Sequence, residues 1–398
     1  MEKKNRIRSI IRITLNVLIV AAVIVCGFPL LIASAFGYTF ERNALFALFP
    51  TTVAMLLLLV NGCRRKRWFK WVALGWCALA AGFGISLGVS YHRLSVPTLD
   101  DRSLRISYYV PFQEDTRAVT LDEKSALTLS VEDASSLRID GATALYPVYA
   151  SFVQNAFTPS DTYVGRTLDC NGTTYAYHAL ISGETDVIFC AQPSEKQLAA
   201  AHEAGLTLHL TPIGREAFVF FVNVKNPVTG LTVEQVQRIY TGEITNWHEV
   251  GGQRQKIRAY QRDEGSGSQT ALQRLMAGLP LMEPEKEERI GGMGGIIEAV
   301  ATYRNYDGAL GFTYRFYSNE MVGNDQIRLL ALDGVFPTKD TIRDGSYPLS
   351  SHFYAITASP IGEPAPEENA PVLRAFLDWC QGEQGQRIVE AVGYVSVQ

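Results

Sequence analysis

Cysteine is scarce in this chain, and basic charge is thin over most of it. Six cysteines occur in 398 residues: Cys26, Cys63 and Cys77 early, Cys170, Cys190 and Cys380 late. Three per region is an odd number for a disulfide framework, and no CxxC occurs, so such a framework is excluded. Buried free thiols are the ordinary reading for the later three, with a single Cys170–Cys190 bridge as the alternative. From residue 96 onward 24 Lys/Arg face 38 Asp/Glu, a net −14. Nucleic-acid binding needs a basic surface to neutralise phosphates, so that function class is excluded. Any anion bound by this region must be held by local donors against the mean field. The histidines of the same region (His178, His202, His209, His248, His352) are scattered and none stands at metal-ligand spacing. No cofactor is expected.

The first 95 residues are the opposite: 12 Lys/Arg against 2 Asp/Glu, set among apolar runs. The stretches 13–36, 44–60 and 68–89 approach the roughly 20 apolar residues that a helix needs to cross a bilayer. Basic clusters precede the first (Lys3, Lys4, Arg6, Arg8, Arg12) and separate the second from the third (Arg64, Arg65, Lys66, Arg67). Positive charge stays on the cytoplasmic side, so three transmembrane helices in a lipid bilayer are expected, with everything after about residue 92 outside. A cleaved signal peptide fits less well, because two further apolar runs follow the first. Lipidation at Cys26 also fits poorly, since Val25 stands where a small residue is wanted.

Residues 96–136 read as a polar stalk or linker, and a structureless connection of that length is uncommon unless part of it packs on the body. From 137 on, strand-like and helical runs alternate, which predicts an α/β fold with covered sheets. Strands are expected at 136–140, 186–190, 217–223, 257–260 and 309–313. Helices are expected at 146–156, 195–204, 232–240, 269–277, 296–304, 370–382 and 383–392. The 260 or so residues suffice for two lobes: 137–215 with 350–398, and 216–349.

Three polar loops carry the chemistry. They are 140–144 (DGATA), 171–174 (NGTT) and 262–270 (RDEGSGSQT). Each combines glycine, which lets backbone N–H groups approach a ligand, with hydroxyl donors at an expected helix N-terminus. Unpaired N–H groups and the helix dipole there make an anion cradle. Arg262 adds a planar fork for two oxyanion oxygens, and Glu264 is placed to hold it. The plain alternative is that these loops only cap helices. Serine nucleophile chemistry at Ser266 or Ser268 would need a nearby base and a GxSxG-like elbow, and the loop reads EGSGS.

The segments DGATALYPVY, GETDVIF, TPIGREAFVFFVN, LTVEQVQRIYTGEITNWHEVGG, RDEGSGSQT and GALGFTY stand in this order over roughly 137–398. On them the body resembles the phosphate-binding proteins of phosphate ABC transporters, in the type II periplasmic-binding-protein superfamily. The resemblance implies a two-lobed α/β solute-binding domain that holds phosphate or a similar oxyanion without chemistry and partners ABC transporter permease subunits. It implies ligand contacts from Thr143 and Ala144, from Thr173 and Thr174, and from Arg262, Ser266, Gly267 and Ser268, with Glu264 as the arginine's carboxylate partner. It leaves the apolar head unaccounted for, and a membrane-tethered sensor or interaction module is the alternative. One departure stands out. Ala191 occupies the place of a family aspartate that accepts the ligand's proton, which puts phosphate specificity in doubt. Gln192 is the neighbouring carbonyl that could substitute.

Overall fold

The computed structural model describes residues 66–95, 106–160, 163, 166–284, 289–290, 308–318 and 327–397, plus short pieces at 6–7, 9–11, 13–16, 52–53 and 56–58. The chain divides into two compact units, Met1–Pro97 and Thr98–Gln398.

In the first unit one long helix, α1 (Arg67–Ser95), runs for 29 residues. Among the described residues no helix is long and apolar enough to cross a membrane. The expectation of three transmembrane helices therefore finds no support in the structure. Apart from 13–16, 52–53 and 56–58, the runs 13–36 and 44–60 lie outside the described residues, and 68–89 falls within α1.

The second unit is built on β1 (Ile139–Gly141), α2 (Tyr146–Ala156), α3 (Thr173–Ile181), β2 (Val187–Ala191), α4 (Glu195–Glu203) and β3 (Leu206–Asn223). It continues through α5 (Val233–Tyr240), β4 (Arg258–Ala259), β5 (Gln261–Arg262), α6 (Gly267–Leu275), β6 (Ala309–Tyr314) and β7 (Ile327–Leu329). It ends with β8 (Ser350–Pro360), α7 (Pro371–Gln381) and α8 (Glu383–Val392). The expected helix at 296–304 lies outside the described residues.

The main sheet has seven strands in the order β1-β2-β8-β3-β6-β4, with β7 also paired to β3. β1 and β2 run parallel, as do β4 and β6, while β2/β8, β8/β3 and β3/β6 are antiparallel. β3 is the spine. Its first part, Leu206–Ala217, pairs with β8, and its last part, Phe218–Asn223, pairs with β6 and β7. One strand thus serves both halves of the domain. The register between β3 and β8 shifts at Phe353/Tyr354, opposite Gly214 and Pro212. Proline cannot donate to a ladder, so the irregularity at Pro212 follows from its chemistry.

Apolar alternation places an aromatic core in each half. Tyr149 stacks on Phe189, and Phe152, Phe157 and Phe376 close around them. Phe218, Phe220, Phe312 and Tyr240 form the corresponding cluster on the other side. Where the halves meet, Tyr394 stacks on Phe316 and touches Phe353. Residues after 106 lie along α2 rather than apart from it. Val119 N–H donates to Ser151 Oγ (2.9 Å) and Leu121 N–H to Asn155 Oδ1 (2.8 Å). No disulfide joins Cys170 to Cys190, and burial pushes the Cys190 thiol well up.

Candidate functional site

The first loop follows β1 directly. Thr143 and Ala144 begin a short 3-10 turn at Thr143–Leu145, and both are buried. Buried Asp140 holds this loop to the second one. Its Oδ1 accepts the N–H groups of Gly141 (2.7 Å) and Asn171 (2.8 Å), and its Oδ2 accepts the Asn171 side-chain amide (2.9 Å). Gly172 N–H donates to the Gly141 carbonyl (3.1 Å). Gly172 caps α3 with φ +82°, a left-handed conformation that favours glycine. It delivers Thr173 and Thr174 to the first turn of the helix, where N–H groups have no partner within the helix.

The third loop joins β5 to α6. The Arg262 guanidinium is buried and donates through Nη1 to Ser268 Oγ (3.1 Å), while its backbone N–H donates to Gln269 Oε1 (2.9 Å). Ser266 caps α6, its Oγ accepting from Gln269 N–H (3.3 Å). Both serine oxygens are thus engaged as acceptors, and each hydroxyl keeps its proton to donate elsewhere.

The loops meet. A β-carbon on Gly267 would stand 3.3 Å from Thr173 Oγ1 and 3.8 Å from Ala191 Cβ. One on Gly265 would stand 3.5 Å from Thr174 Oγ1. Gln197 Nε2 donates to the Gly265 carbonyl (3.2 Å), and Arg274 reaches the Pro193 carbonyl. Between them lies a cavity of about 30 Å³, lined by Ala144, Thr173, Ala191, Glu216, Gly267 and Tyr314, among others. Three expected site residues (Ala144, Thr173, Gly267) share this cavity. Thr143, Thr174, Ser266, Ser268 and Arg262 stand on the loops that surround it.

Glu264 departs from expectation. Its carboxylate pairs with Lys196 of α4 (3.1 Å) and is 61% exposed. Gly265 explains this: its φ of +87° turns the loop so that Glu264 faces outward while the serines face inward. Ser268 and Gln269, rather than Glu264, engage the arginine. Gln192 is exposed and hydrogen-bonded to Tyr354, so it does not line the cavity.

Several lining residues escaped sequence reasoning, Glu216, Tyr314 and His352 among them. Glu216, in β3, is the one carboxyl in the cavity wall among the described residues. Its Oε1 accepts Ala217 N–H (2.8 Å) and its Oε2 accepts Phe316 N–H (3.2 Å). Burial outweighs these bonds and pushes its pKa up to about 7. Tyr314 donates its hydroxyl to the Gly267 carbonyl (3.2 Å), and burial raises its pKa. The available signal for Glu216 was a lone acid at the head of the apolar run AFVFFVN. Among the described residues no cluster of His, Cys, Asp or Glu could hold a metal ion.

Loops of three glycine-bearing turns, closing on one cavity across a strand shared by two halves, are the arrangement of a two-lobed binding protein. A family model described as the PBP superfamily domain matches residues 128–384. The chain belongs to the PBP superfamily. Among its superfamily relatives, the phosphate-binding protein PstS of Borreliella burgdorferi is 23% identical over 265 residues, spanning 65% of this chain and 89% of that protein. PstS of Bacillus subtilis is 22% identical over 268 residues, spanning 66% of this chain and 81% of its own. A crystal structure from Clostridium perfringens, assigned as a phosphate ABC transporter substrate-binding protein and holding phosphate, matches with a TM-score of 0.51 at 22% identity. It covers 68% of this chain and 100% of that one, and it shows the two-lobed α/β fold of the superfamily for the body.

Proposed function

We propose that this chain is an extracytoplasmic solute-binding protein that takes up phosphate between its two lobes and presents it to ABC transporter permease subunits. The observation that carries the reading is the approach of Gly267 to Thr173 over a cavity also lined by Ala144. This brings two helix N-termini and a short turn together around one space, beside a buried arginine. The phosphate-binding relatives supply the ligand class.

In this reading lobe one is 137–215 with 350–398, lobe two is 216–349, and β3 and β8 carry the hinge. Thr143, Ala144, Thr173 and Thr174 donate from lobe one. Ser266, Gly267, Ser268 and Arg262 donate from lobe two. The cavity is small, about 30 Å³, and in this reading the loops part to admit the ligand. Closing again removes water, and each charge-assisted hydrogen bond in the dry site is worth about 1.5–3 kcal/mol. A handful reaches the roughly 8 kcal/mol of micromolar affinity after ordering costs. Calorimetric titration with phosphate, sulfate and small organic acids tests the assignment. Micromolar binding of phosphate supports it, and silence towards all of them rejects it.

The apolar runs and basic clusters of residues 1–95 support a membrane anchor that leaves the binding domain outside the cell. Alkaline extraction of membranes checks this: an anchored chain stays in the pellet, and release into the wash refutes the anchor. Co-purification with a signalling partner instead of permease subunits favours the sensor reading.

A further inference from the structure

We propose that Glu216 is a specificity-determining residue of this cavity: it meets the anion as a neutral acid, so that ligand capture brings a proton into the site. The inference rests on the anion-binding reading above. Its basis is positional. Among the described residues Glu216 is the one carboxyl in the wall of a cavity also lined by Ala144, Thr173, Ala191, Gly267, Tyr314 and His352 among others. It is buried, at 4% exposure, on the spine strand where the two halves of the sheet join.

The carboxyl is held in place. One oxygen accepts from Ala217 N–H (2.8 Å) and the other from Phe316 N–H (3.2 Å). These bonds fix the carboxyl's plane at the cavity wall. Ala191, in the same wall, offers no side-chain acceptor or donor. Among the described residues, a bound oxyanion therefore finds one carboxyl in the cavity wall, together with His352 and the tyrosines Tyr314 and Tyr394. If that carboxyl were ionised, two negative charges would face each other where no water screens them, and binding would weaken. If it is protonated, the repulsion vanishes and its O–H becomes one more donor to the anion.

The surrounding charges do not remove this need. Arg315, after β6, and Lys339, on the helix Lys339–Arg343, favour the ionised form but are outweighed by burial, which sets the group near 7. From β8, Ser351 is its register partner. His352 next to it is held below the ordinary histidine range by burial and by Arg215. Tyr314 and Tyr394 are pushed upward, largely by burial, and stay neutral. A group poised near 7 is half-ionised around neutrality, and an anion beside it raises its proton affinity further. The sign follows from linkage. Below pH 7 the acid is already protonated and little proton moves on binding. Above pH 7 the free site has lost its proton and must regain it, so affinity falls by up to about tenfold per pH unit.

The test is calorimetry of the full chain, purified in detergent, with inorganic phosphate at about pH 6 and pH 8 in buffers of different ionisation enthalpy. Phosphate's own ionisation contributes equally to wild type and to Glu216→Gln, so their difference reports Glu216. At pH 8 the wild type is expected to take up close to one proton more than E216Q. Its affinity is expected to fall roughly tenfold further between the two pH values. Equal proton counts with equal pH dependence overturn the proposal while leaving the function standing. No phosphate binding by the wild type at either pH overturns both. Should E216Q fail to fold, the phosphate-minus-free infrared difference spectrum of the wild type at pH 8 decides. Growth of a protonated-carboxyl band at the expense of carboxylate bands supports the proposal, and its absence rejects it.

Discussion

Gly267 faces Thr173 so closely that a β-carbon on the glycine would come within 3.3 Å of the threonine hydroxyl oxygen. The glycine opens α6 from one side of the cavity and the threonine opens α3 from the other. Gly267 lies outside the positive-φ region, so its backbone tolerates alanine. G267A is therefore expected to fold with nearly unchanged thermal stability. It places a methyl group where the two helix ends close on the ligand, and phosphate affinity is expected to drop at least about tenfold, or 1.4 kcal/mol. Parallel melting curves and titrations check the split between stability and binding.

Arg262 is buried and donates to Ser268, on the turn that opens α6. Removing its guanidinium deletes the strongest donor near the cavity and leaves Ser268 Oγ without that donor. R262A is expected to cost more than about 3 kcal/mol of binding, over a hundredfold. R262K restores charge without the fork and is expected to recover only part of it. An unchanged titration with R262A would reject the placement of the site.

The Lys196–Glu264 pair bridges α4 to the third loop, but its side chains are 74% and 61% exposed. Exposed pairs contribute about 0–1 kcal/mol and are screened by salt. E264A is expected to change phosphate affinity less than about threefold, with the small effect vanishing at high salt. A hundredfold loss would restore Glu264 as the arginine's partner.

Glu216 also shapes the pH dependence of folding. Its pKa of about 7 in the folded chain lies above the ordinary 4.5, because burial disfavours the charge. The folded state then binds more protons than the unfolded one between these values. Stability falls as pH rises from about 4.5 to 7 and this contribution is flat above 7. The loss is of the order of a few kcal/mol. E216Q is expected to flatten that slope, and denaturant titrations at about pH 5 and pH 8 measure it. An identical slope in E216Q would place the titrating group elsewhere.

Much of the fold was legible because local signals and burial agree there. The helix expected at 146–156 occurs as Tyr146–Ala156, and Thr232 caps α5 through a reciprocal bond with Gln235. The strand at 217–223 was read short. It begins at Leu206, because Thr207, His209 and Pro212 mask an extended segment that only pairing with β8 stabilises. Glu264 was misplaced for a similar reason. Its distance along the chain from Arg262 is small, but the left-handed turn at Gly265 sends it to Lys196, a partner 68 residues away in sequence.

The sequence by itself determined the acidic α/β body, the three glycine-hydroxyl turns and the arginine beside one of them. Those features depend on local backbone freedom and periodicity, which neighbours in the chain control. Only the tertiary structure decided which atoms share a space. It set Gly267 on Thr173, turned Glu264 outward, and carried Glu216 into the cavity wall. Such placements depend on strand order and on close approach between segments distant in sequence, and burial then sets the charge state of the group enclosed.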